Sequence, residues 1–268
     1  MKKTGFIGLG VMGEPIARRL VNSNGELMVC DTDGGPCQRL AAAGAAVAET
    51  PLEIARHCHT IFIMVRNAAQ VDEVLFGDHG MAPALTDRHA IVLLSTLATG
   101  YTVSLARKLP GVALVDAPVS GGRAGAESGQ LTIMAGAGPE DFARLEPELR
   151  LVGNTVTYVG GLGSGQTAKA ANQIIIALTR AAVGEAMLFV KRNGIDPEIV
   201  RQAIATGLAG SATLESYGPR ITGLDNPVQF NSEILAKDIN TIAGSAAELG
   251  LELPFLDLVR DAYNAHDG

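Results

Sequence analysis

Short apolar runs alternate with segments of helical spacing through the first 116 residues, and this alternation restricts the possible folds more than any other feature. The run Ile61–Val65 is continuously apolar, which is typical of a parallel strand covered on both faces. Strands are predicted at 4–9, 27–30, 61–65, 90–94 and 112–115, with helices at 14–20, 36–43 and 71–75 and further strand candidates at 131–135 and 155–159. The sequence therefore predicts an α/β fold with a Rossmann-type, doubly wound parallel sheet.

The pattern becomes helical after Gly165. Apolar residues recur at helical spacing from 168 to 192, which corresponds to a helix about 37 Å long. Asp196-Pro197 begins another helix, and we expect no strand beyond about residue 160. The predicted organisation is an NAD-binding Rossmann domain, residues 1–162, and an all-α domain, residues 163–268, joined by a long interdomain helix.

Composition excludes several classes of function. The chain has 268 residues, with 21 Lys+Arg against 28 Asp+Glu and a net charge of −7, which disfavours nucleic acid as a partner. Three cysteines without a CxxC pair indicate a reducing, cytoplasmic compartment. No apolar run approaches the roughly 18 residues of a membrane helix, and the N-terminus is not interpreted as a signal peptide. His57-Cys58-His59 is interpreted as a helix-to-strand junction, so no metal site is predicted.

A glycine turn follows the first strand. In Gly8-x-Gly10-x-x-Gly13, the first glycine allows a tight turn, the second lets a pyrophosphate approach the backbone, and the third lets helix and strand come close. Asp31 ends the next strand, where an acceptor for a ribose 2′-hydroxyl is expected. A carboxylate repels a 2′-phosphate, and residues 30–33 contain no Arg. The turn therefore predicts NAD in preference to NADP; a glycine-rich turn without a ligand is the alternative.

A second glycine cluster, residues 116–129, also follows a strand. The Ser120 hydroxyl and the backbone N–H groups of Gly121 and Gly122 are suited to bind a carboxylate, and Arg123 would add a charge-assisted contact. The alternative is a plain loop.

Lys169 lies one turn into the long helix, with Asn172 and Gln173 at i+3 and i+4 on the same face. A lysine in apolar surroundings beside amides is a candidate general acid/base. Taken alone, a surface lysine that extends to solvent is the competing interpretation, and the same ambiguity holds for Lys237.

These motifs occur together in a known order, and the chain resembles the β-hydroxyacid dehydrogenases over nearly its whole length. The matching segments are 5–13, 116–129 with Leu131, 163–166 leading to Lys169, and 236–238.

The resemblance implies a role for each motif. The nucleotide would lie on the glycine turn, the Ser-Gly-Gly segment would hold the substrate carboxylate, and Lys169 would be the acid/base, assisted by Asn172 and Gln173. The implied cofactor contacts are Gly8, Leu9, Gly10, Val11, Met12, Gly13, Asp31, Val65, Arg66, Asn67, Thr96 and Lys237. The implied substrate contacts are Ser120, Gly121, Gly122, Arg123, Lys169, Asn172, Ser211 and Lys237.

Two departures bear on the substrate and the C-terminus. Many relatives place an Asn four residues after the catalytic lysine, where this chain has Gln173, with Asn172 at three. Lys-x-x-Asn-Gln and residues 207–211 are most similar to the tartronate semialdehyde reductase branch, whereas residues 65–70 are similar to a branch that acts on four-carbon sugar acids such as threonate. Relatives usually continue through another helix after the equivalent of 266–268, so we expect the second domain to lack its last helix.

The expected reaction is reversible hydride transfer between NAD and a small β-hydroxy acid or its semialdehyde, such as 3-hydroxyisobutyrate or tartronate semialdehyde. Neutral Lys169 would take the hydroxyl proton during oxidation, which requires desolvation or nearby cations to lower its pKa. An imine reductase is disfavoured because such relatives usually lack the lysine, and a non-catalytic reader module would need a further domain. The family implies a homodimer or homotetramer.

Overall fold

The structure is a computed structural model that describes residues 3–24, 26–221 and 233–265. The chain divides into two compact units, Met1–Lys169 and Ala170–Gly268. The division falls within the longest helix of the described residues, Ser164–Arg192.

The first unit is a sheet flanked by helices. Its strands are β1 (Thr4–Ile7), β2 (Leu27–Cys30), β3 (Ala46–Val47), β4 (Thr60–Ile63), β5 (Ala90–Leu93), β6 (Ala113–Asp116), β7 (Val119–Ser120), β8 (Thr132–Gly136) and β9 (Thr155–Gly160). Its helices are α1 (Gly13–Asn24), α2 (Gly34–Ala41), α3 (Pro51–His57), α4 (Ala68–Phe76), α5 (Thr99–Lys108), α6 (Gly122–Ser128) and α7 (Pro139–Val152), with a short 3₁₀ turn at Ala82–Ala84 and the start of α8 (Ser164–Arg192).

The sheet has the strand order β3-β2-β1-β4-β5-β6-β8-β7, with β9 paired to β8. Strands β1 to β6 pair in parallel, which confirms the predicted Rossmann-type sheet. The parallel arrangement ends at β8, which is antiparallel to both β6 and β7. The parallel sheet predicted through residue 116 is therefore confirmed, and it is extended by β7, β8 and β9, of which β8 and β9 run in the opposite direction to β6.

The central strands are buried on both faces. Phe6 and Phe62 point into one apolar core, whereas Ile7, Ile61 and Ile63 point into another. Successive side chains of a strand face opposite sides of a sheet, so burial of both sides explains the continuous apolar runs in the sequence.

Two local features refine the sequence-based expectations, and a third agrees with them. The segment interpreted as a glycine loop contains strand β7 and helix α6, which ends at Gly129 in the left-handed conformation at φ 73°. Such a C-terminal glycine is a common helix stop. α8 begins at Ser164 rather than at 168, and the reason is given below. The predicted junction at 57–59 is confirmed, because α3 ends at His57 and β4 begins at Thr60.

The second unit is helical throughout the residues that the structure describes. It contains the rest of α8, then α9 (Pro197–Ala205), α10 (Ala212–Ile221), α11 (Glu233–Glu248) and α12 (Pro254–Asn264). As predicted, Asp196 caps α9 and Pro197 occupies its first turn. Residues 266–268, where the expected loss of a last helix falls, lie outside the described residues.

One helix within the described ranges, α8, is long and apolar enough to cross a membrane by length and composition alone. Core helices of water-soluble proteins meet the same criteria, and 33% of the most apolar window of α8 is buried. The sequence analysis predicted this long helix but did not predict that it would meet these criteria.

Candidate active site

The glycine turn has the backbone that a pyrophosphate site requires. Gly8 has a φ of +93°, and a Cβ at Gly13 would collide with the Gly8 carbonyl oxygen. A Cβ at Gly10 would meet nothing within 4 Å, so the backbone faces open space beside the N-terminus of α1. The turn therefore fits a bound dinucleotide, whose phosphates gain from exposed N–H groups and the helix dipole.

Asp31 is joined to this turn. Its Oδ2 accepts a hydrogen bond from the Leu9 N–H at 2.5 Å, and its Oδ1 accepts from the Asp33 N–H at 2.8 Å. Arg39 is the arginine nearest to Asp31 in the sequence. Its Nε and Nη2 donate to the two oxygens of the Glu14 carboxylate, both at 2.8 Å. The carboxylate is thus held at the glycine turn, as an acceptor for a ribose hydroxyl must be.

The predicted cofactor residues of the next two strands lie at the carboxyl ends of β4 and β5. The Val65 N–H donates to Ser95 Oγ at 2.9 Å, directly beside Thr96. Asn67 caps α4 by accepting from the Gln70 N–H at 2.9 Å, and the Arg66 N–H donates to Gln70 Oε1. Ligands of open α/β sheets bind outside this edge, and the contact of these residues with a cofactor stays a prediction.

The Ser-Gly-Gly segment forms the entry to α6. Gly121 and Gly122 have φ values of 132° and 60°, and a Cβ at Gly122 would meet nothing within 4 Å. Positive φ values at both positions favour glycine, and the lack of a side chain leaves the backbone of Gly122 open to an approaching ligand. Arg123 is exposed and pairs with Glu127 at 2.7 Å, so an anion would have to compete with that carboxylate.

Lys169 is buried, with 7% of its surface exposed, and this result excludes the interpretation as a surface lysine. Its Nζ donates to the Val119 carbonyl oxygen at 2.8 Å. Val119 immediately precedes Ser120, so the structure brings the ammonium group to the Ser-Gly-Gly segment.

A buried carboxylate that the sequence analysis did not assign holds the start of α8. Asp116, at the end of β6, is fully buried. Its Oδ1 accepts from the Gly163 N–H and its Oδ2 from the Gln166 N–H, both at 2.7 Å. These N–H groups belong to the first turn of a helix, which has no carbonyl partners of its own, and this capping explains why α8 starts at Ser164. A Cβ at Gly165 would meet backbone oxygens of β6 and β8, so the approach of the helix requires that glycine.

Burial raises the pKa of the Asp116 carboxyl from 3.8 to about 6, although its hydrogen bonds to backbone N–H groups oppose the shift. The folded protein therefore binds this proton more tightly than the unfolded chain does. Protonation of Asp116 therefore stabilises the folded state. This contribution to the free energy of unfolding is complete below about pH 4 and is lost as the pH rises through about 6, a difference of about 3 kcal/mol. We expect the carboxyl carbon resonance of Asp116 to titrate with a midpoint near 6; a midpoint near 4 would contradict the effect of burial.

The remaining site candidates belong to the second unit. Gln173 is buried, and its Nε2 donates to Asp238 Oδ2 at 2.6 Å while its Oε1 accepts from Asn172 Nδ2 at 3.0 Å. Lys237 Nζ lies 3.0 Å from Asp238 Oδ1. Asp238, which the sequence analysis named only as part of a motif, therefore orients both the predicted amide and the predicted lysine.

Ser211 accepts a hydrogen bond from the Leu214 N–H at 3.0 Å, at the start of α10. Its local structural role is thus clear, and its predicted contact with substrate stays a prediction. Within the ranges that the structure covers, no group of three or more His, Cys, Asp or Glu residues is placed to hold a metal ion.

Comparisons with known proteins agree with this geometry. Residues 3–160 match the family described as the NAD binding domain of 6-phosphogluconate dehydrogenase. Residues 163–268 match the family described as NAD-binding of NADP-dependent 3-hydroxyisobutyrate dehydrogenase.

Individual relatives cover nearly the whole chain. The chain is 41% identical to 2-hydroxy-3-oxopropionate reductase of Escherichia coli, over 98% of this chain and 90% of the relative. It is 31% identical to L-threonate dehydrogenase of Cupriavidus necator, over 94% and 86%. A solved 3-hydroxyisobutyrate dehydrogenase from Salmonella typhimurium superimposes with a TM-score of 0.86 at 28% identity, over 99% of this chain and 94% of that one.

The fold, the glycine turn and these matches define an NAD(P)-dependent oxidoreductase that acts on a hydroxy acid. More specifically, the chain belongs to the β-hydroxyacid dehydrogenase family.

Proposed function

We propose that Lys169 is the general acid/base of a reversible hydride transfer between NAD and a small β-hydroxy acid or its semialdehyde. One observation carries this assignment: the buried Lys169 Nζ lies 2.8 Å from the Val119 carbonyl oxygen, next to the Ser-Gly-Gly segment. This contact supports a proton donor beside a backbone segment suited to a carboxylate, as a substrate with a carboxylate near its hydroxyl requires.

In this mechanism the backbone N–H groups of Gly121 and Gly122 and the Ser120 hydroxyl bind the carboxylate. The nicotinamide supplies or accepts the hydride when the cofactor is bound. Lys169 donates a proton to the forming alkoxide during reduction and takes the hydroxyl proton during oxidation. Asn172 and Gln173, on the next turn of α8, are proposed to hydrogen-bond the substrate hydroxyl.

The glycine turn and Asp31 are proposed to hold NAD, with NADP the poorer cofactor. Further cofactor contacts are proposed from Val65, Arg66, Asn67, Thr96 and Lys237, and substrate contacts from Arg123, Ser211 and Lys237. The position of the Asp31 carboxylate against the Leu9 N–H supports the preference for NAD, because its charge repels a 2′-phosphate.

Asp31→Asn tests this preference by removing the charge and keeping the size of the side chain. We expect the ratio of kcat/KM with NAD to kcat/KM with NADP to fall by about tenfold, which corresponds to about 1.4 kcal/mol. Asp33→Asn is the matched control, since Asp33 is an exposed carboxylate of the same loop and should change the ratio by less than about twofold. A tenfold preference of the unmodified enzyme for NADP would contradict the assignment.

The proposed substrates are tartronate semialdehyde and 3-hydroxyisobutyrate. The family match and the reductase at 41% identity support them, whereas the similarity to a threonate dehydrogenase supports a four-carbon sugar acid as the alternative. The test is a panel containing tartronate semialdehyde, 3-hydroxyisobutyrate, 4-hydroxybutyrate, threonate and a cyclic imine, each with NAD(H) and NADP(H). The highest kcat/KM is expected for one of the first two. The highest value for threonate would establish the alternative, and turnover of the imine alone would contradict a hydroxy-acid substrate.

We also propose a homodimer or homotetramer in the cytoplasm, with no membrane or nucleic acid as a partner. Large apolar side chains of the second unit are exposed, among them Ile175, Phe189, Leu249, Phe255 and Leu258, each at least 66% accessible. Exposed apolar area on this scale is typical of interaction surfaces. A mass of one chain in light scattering would contradict the proposal.

The domain boundary at 162/163 is proposed from the sequence, and the two family matches, 3–160 and 163–268, support it.

A further inference from the structure

We infer that Gln166 is a positioning residue for hydride transfer: its side-chain amide fixes the segment Ser95–Leu97 against the first turn of α8, and thereby sets the position of Thr96 relative to Lys169. This inference rests on the acid/base role proposed above for Lys169.

The Gln166 side chain is buried, and both its amide oxygen and its amide nitrogen are hydrogen-bonded. Only 1% of the residue is exposed. Its Oε1 accepts from the Leu97 N–H at 2.9 Å, and its Nε2 donates to the Ser95 carbonyl oxygen at 2.8 Å. The two contacts lie on either side of Thr96, so one amide determines where the segment after β5 runs.

The Gln166 backbone and the helix that carries Lys169 are also held by hydrogen bonds. The Gln166 backbone N–H donates to Asp116, and Lys169 follows three residues later in the same helix. The Lys169 Nζ is held by Val119, and Ser95 Oγ also accepts from the Val65 N–H. Gln166 is therefore the point at which the ends of β4, β5 and β6 are joined to the helix that carries the lysine.

The chemistry of the two contacts requires an amide. The Ser95 carbonyl can only accept a hydrogen bond and the Leu97 N–H can only donate one. A methionine would satisfy neither group, and an ionised glutamate would face the Ser95 carbonyl with a second acceptor. A protonated glutamate, in contrast, offers one donor and one acceptor and reproduces the pattern.

This difference gives a test with a signature that loss of stability alone does not produce. Gln166→Glu is expected to retain at least about half of the unmodified kcat at about pH 5, where the carboxyl is protonated. The ratio of its kcat to that of the unmodified enzyme should fall at least tenfold toward about pH 8. Gln166→Met should lower kcat by about tenfold to a hundredfold at every pH, with the substrate KM within about threefold. Because Asp116 is present in both enzymes, its own titration largely cancels in the ratio.

The matched control is Gln38→Glu, the same change at an exposed residue of α2, which should show no pH-dependent ratio. Thermal midpoints and NADH affinity, measured by fluorescence, define the fraction of folded, binding-competent enzyme. The kcat of each variant is expressed per NADH-binding site and divided by that of the unmodified enzyme. If this ratio stays near one at every pH for both Gln166 variants, the inference is overturned. Failure of both variants to fold would also overturn it, because Gln166 would then be a structural residue. Lys169→Met is measured in parallel: near-normal turnover there would reject the acid/base role, whereas the Gln166 ratio reports on the segment around Thr96 separately.

Discussion

Replacement of Lys169 by Met is expected to lower kcat about a thousandfold while NADH affinity changes by less than about twofold. Removal of a positioned acid/base typically costs 10² to 10⁴ in rate. Methionine retains an unbranched apolar stem, one atom shorter than that of the buried lysine, but loses the proton and the hydrogen bond to the Val119 carbonyl oxygen. The effect should fall on turnover, because the proton is needed in the chemical step, whereas the nucleotide is proposed to bind at the glycine turn.

The measurement combines steady-state kinetics with NADH fluorescence titration. Lys191→Met is the matched control, since Lys191 lies in the last turn of the same helix and should leave kcat within about twofold. A Lys169→Met enzyme with near-normal kcat would show that another group moves the proton.

Asp116→Ala is expected to lower the free energy of unfolding by about 2 to 3 kcal/mol at pH 7 and to lower kcat by at least about tenfold. The change leaves two buried N–H groups without acceptors, each at a cost of about 1 to 3 kcal/mol. Removal of a buried charge offsets part of this loss. The loss of unfolding free energy should therefore be larger near pH 5. At that pH the Asp116 carboxyl of the unmodified protein is already protonated, so the substitution no longer removes a buried charge.

Urea unfolding of the apoprotein at the two pH values measures this effect. Asp33→Ala provides the control, because Asp33 also caps a helix, through the Gly35 N–H at 2.9 Å, but is exposed to solvent. An exposed N-cap contributes about 1 kcal/mol. Equal losses for the two variants would show that burial of the Asp116 cap adds nothing to stability.

Much of the fold was predictable from local patterns. The run Ile61–Val65 indicated a strand buried on both faces because both sides of a parallel sheet are covered. The spacing of Gly8, Gly10 and Gly13 indicated the phosphate turn because only glycine permits such close approaches. The direction of β8 was not predictable, since it depends on pairing with β6 across the fold rather than on its own sequence.

The site shows the same division. Lys169 was a candidate because it lies among apolar residues beside two amides, but its role was assigned from the resemblance to the family. The role of Gln166 was not identified because its partners, Ser95 and Leu97, lie 71 and 69 residues away in the chain. Asp116 similarly caps a helix that begins more than 40 residues later. An acid at the end of an apolar strand, directly before a glycine cluster, is the one signal that pointed toward it.

The most direct test of the proposed mechanism is a crystal structure of the enzyme with NAD and a bound β-hydroxy acid. The expected result is a substrate carboxylate on the N–H groups of Gly121 and Gly122, with the substrate hydroxyl within hydrogen-bond distance of Lys169 Nζ. A carboxylate bound elsewhere, with the substrate hydroxyl beyond hydrogen-bond distance of Lys169 Nζ, would contradict the mechanism.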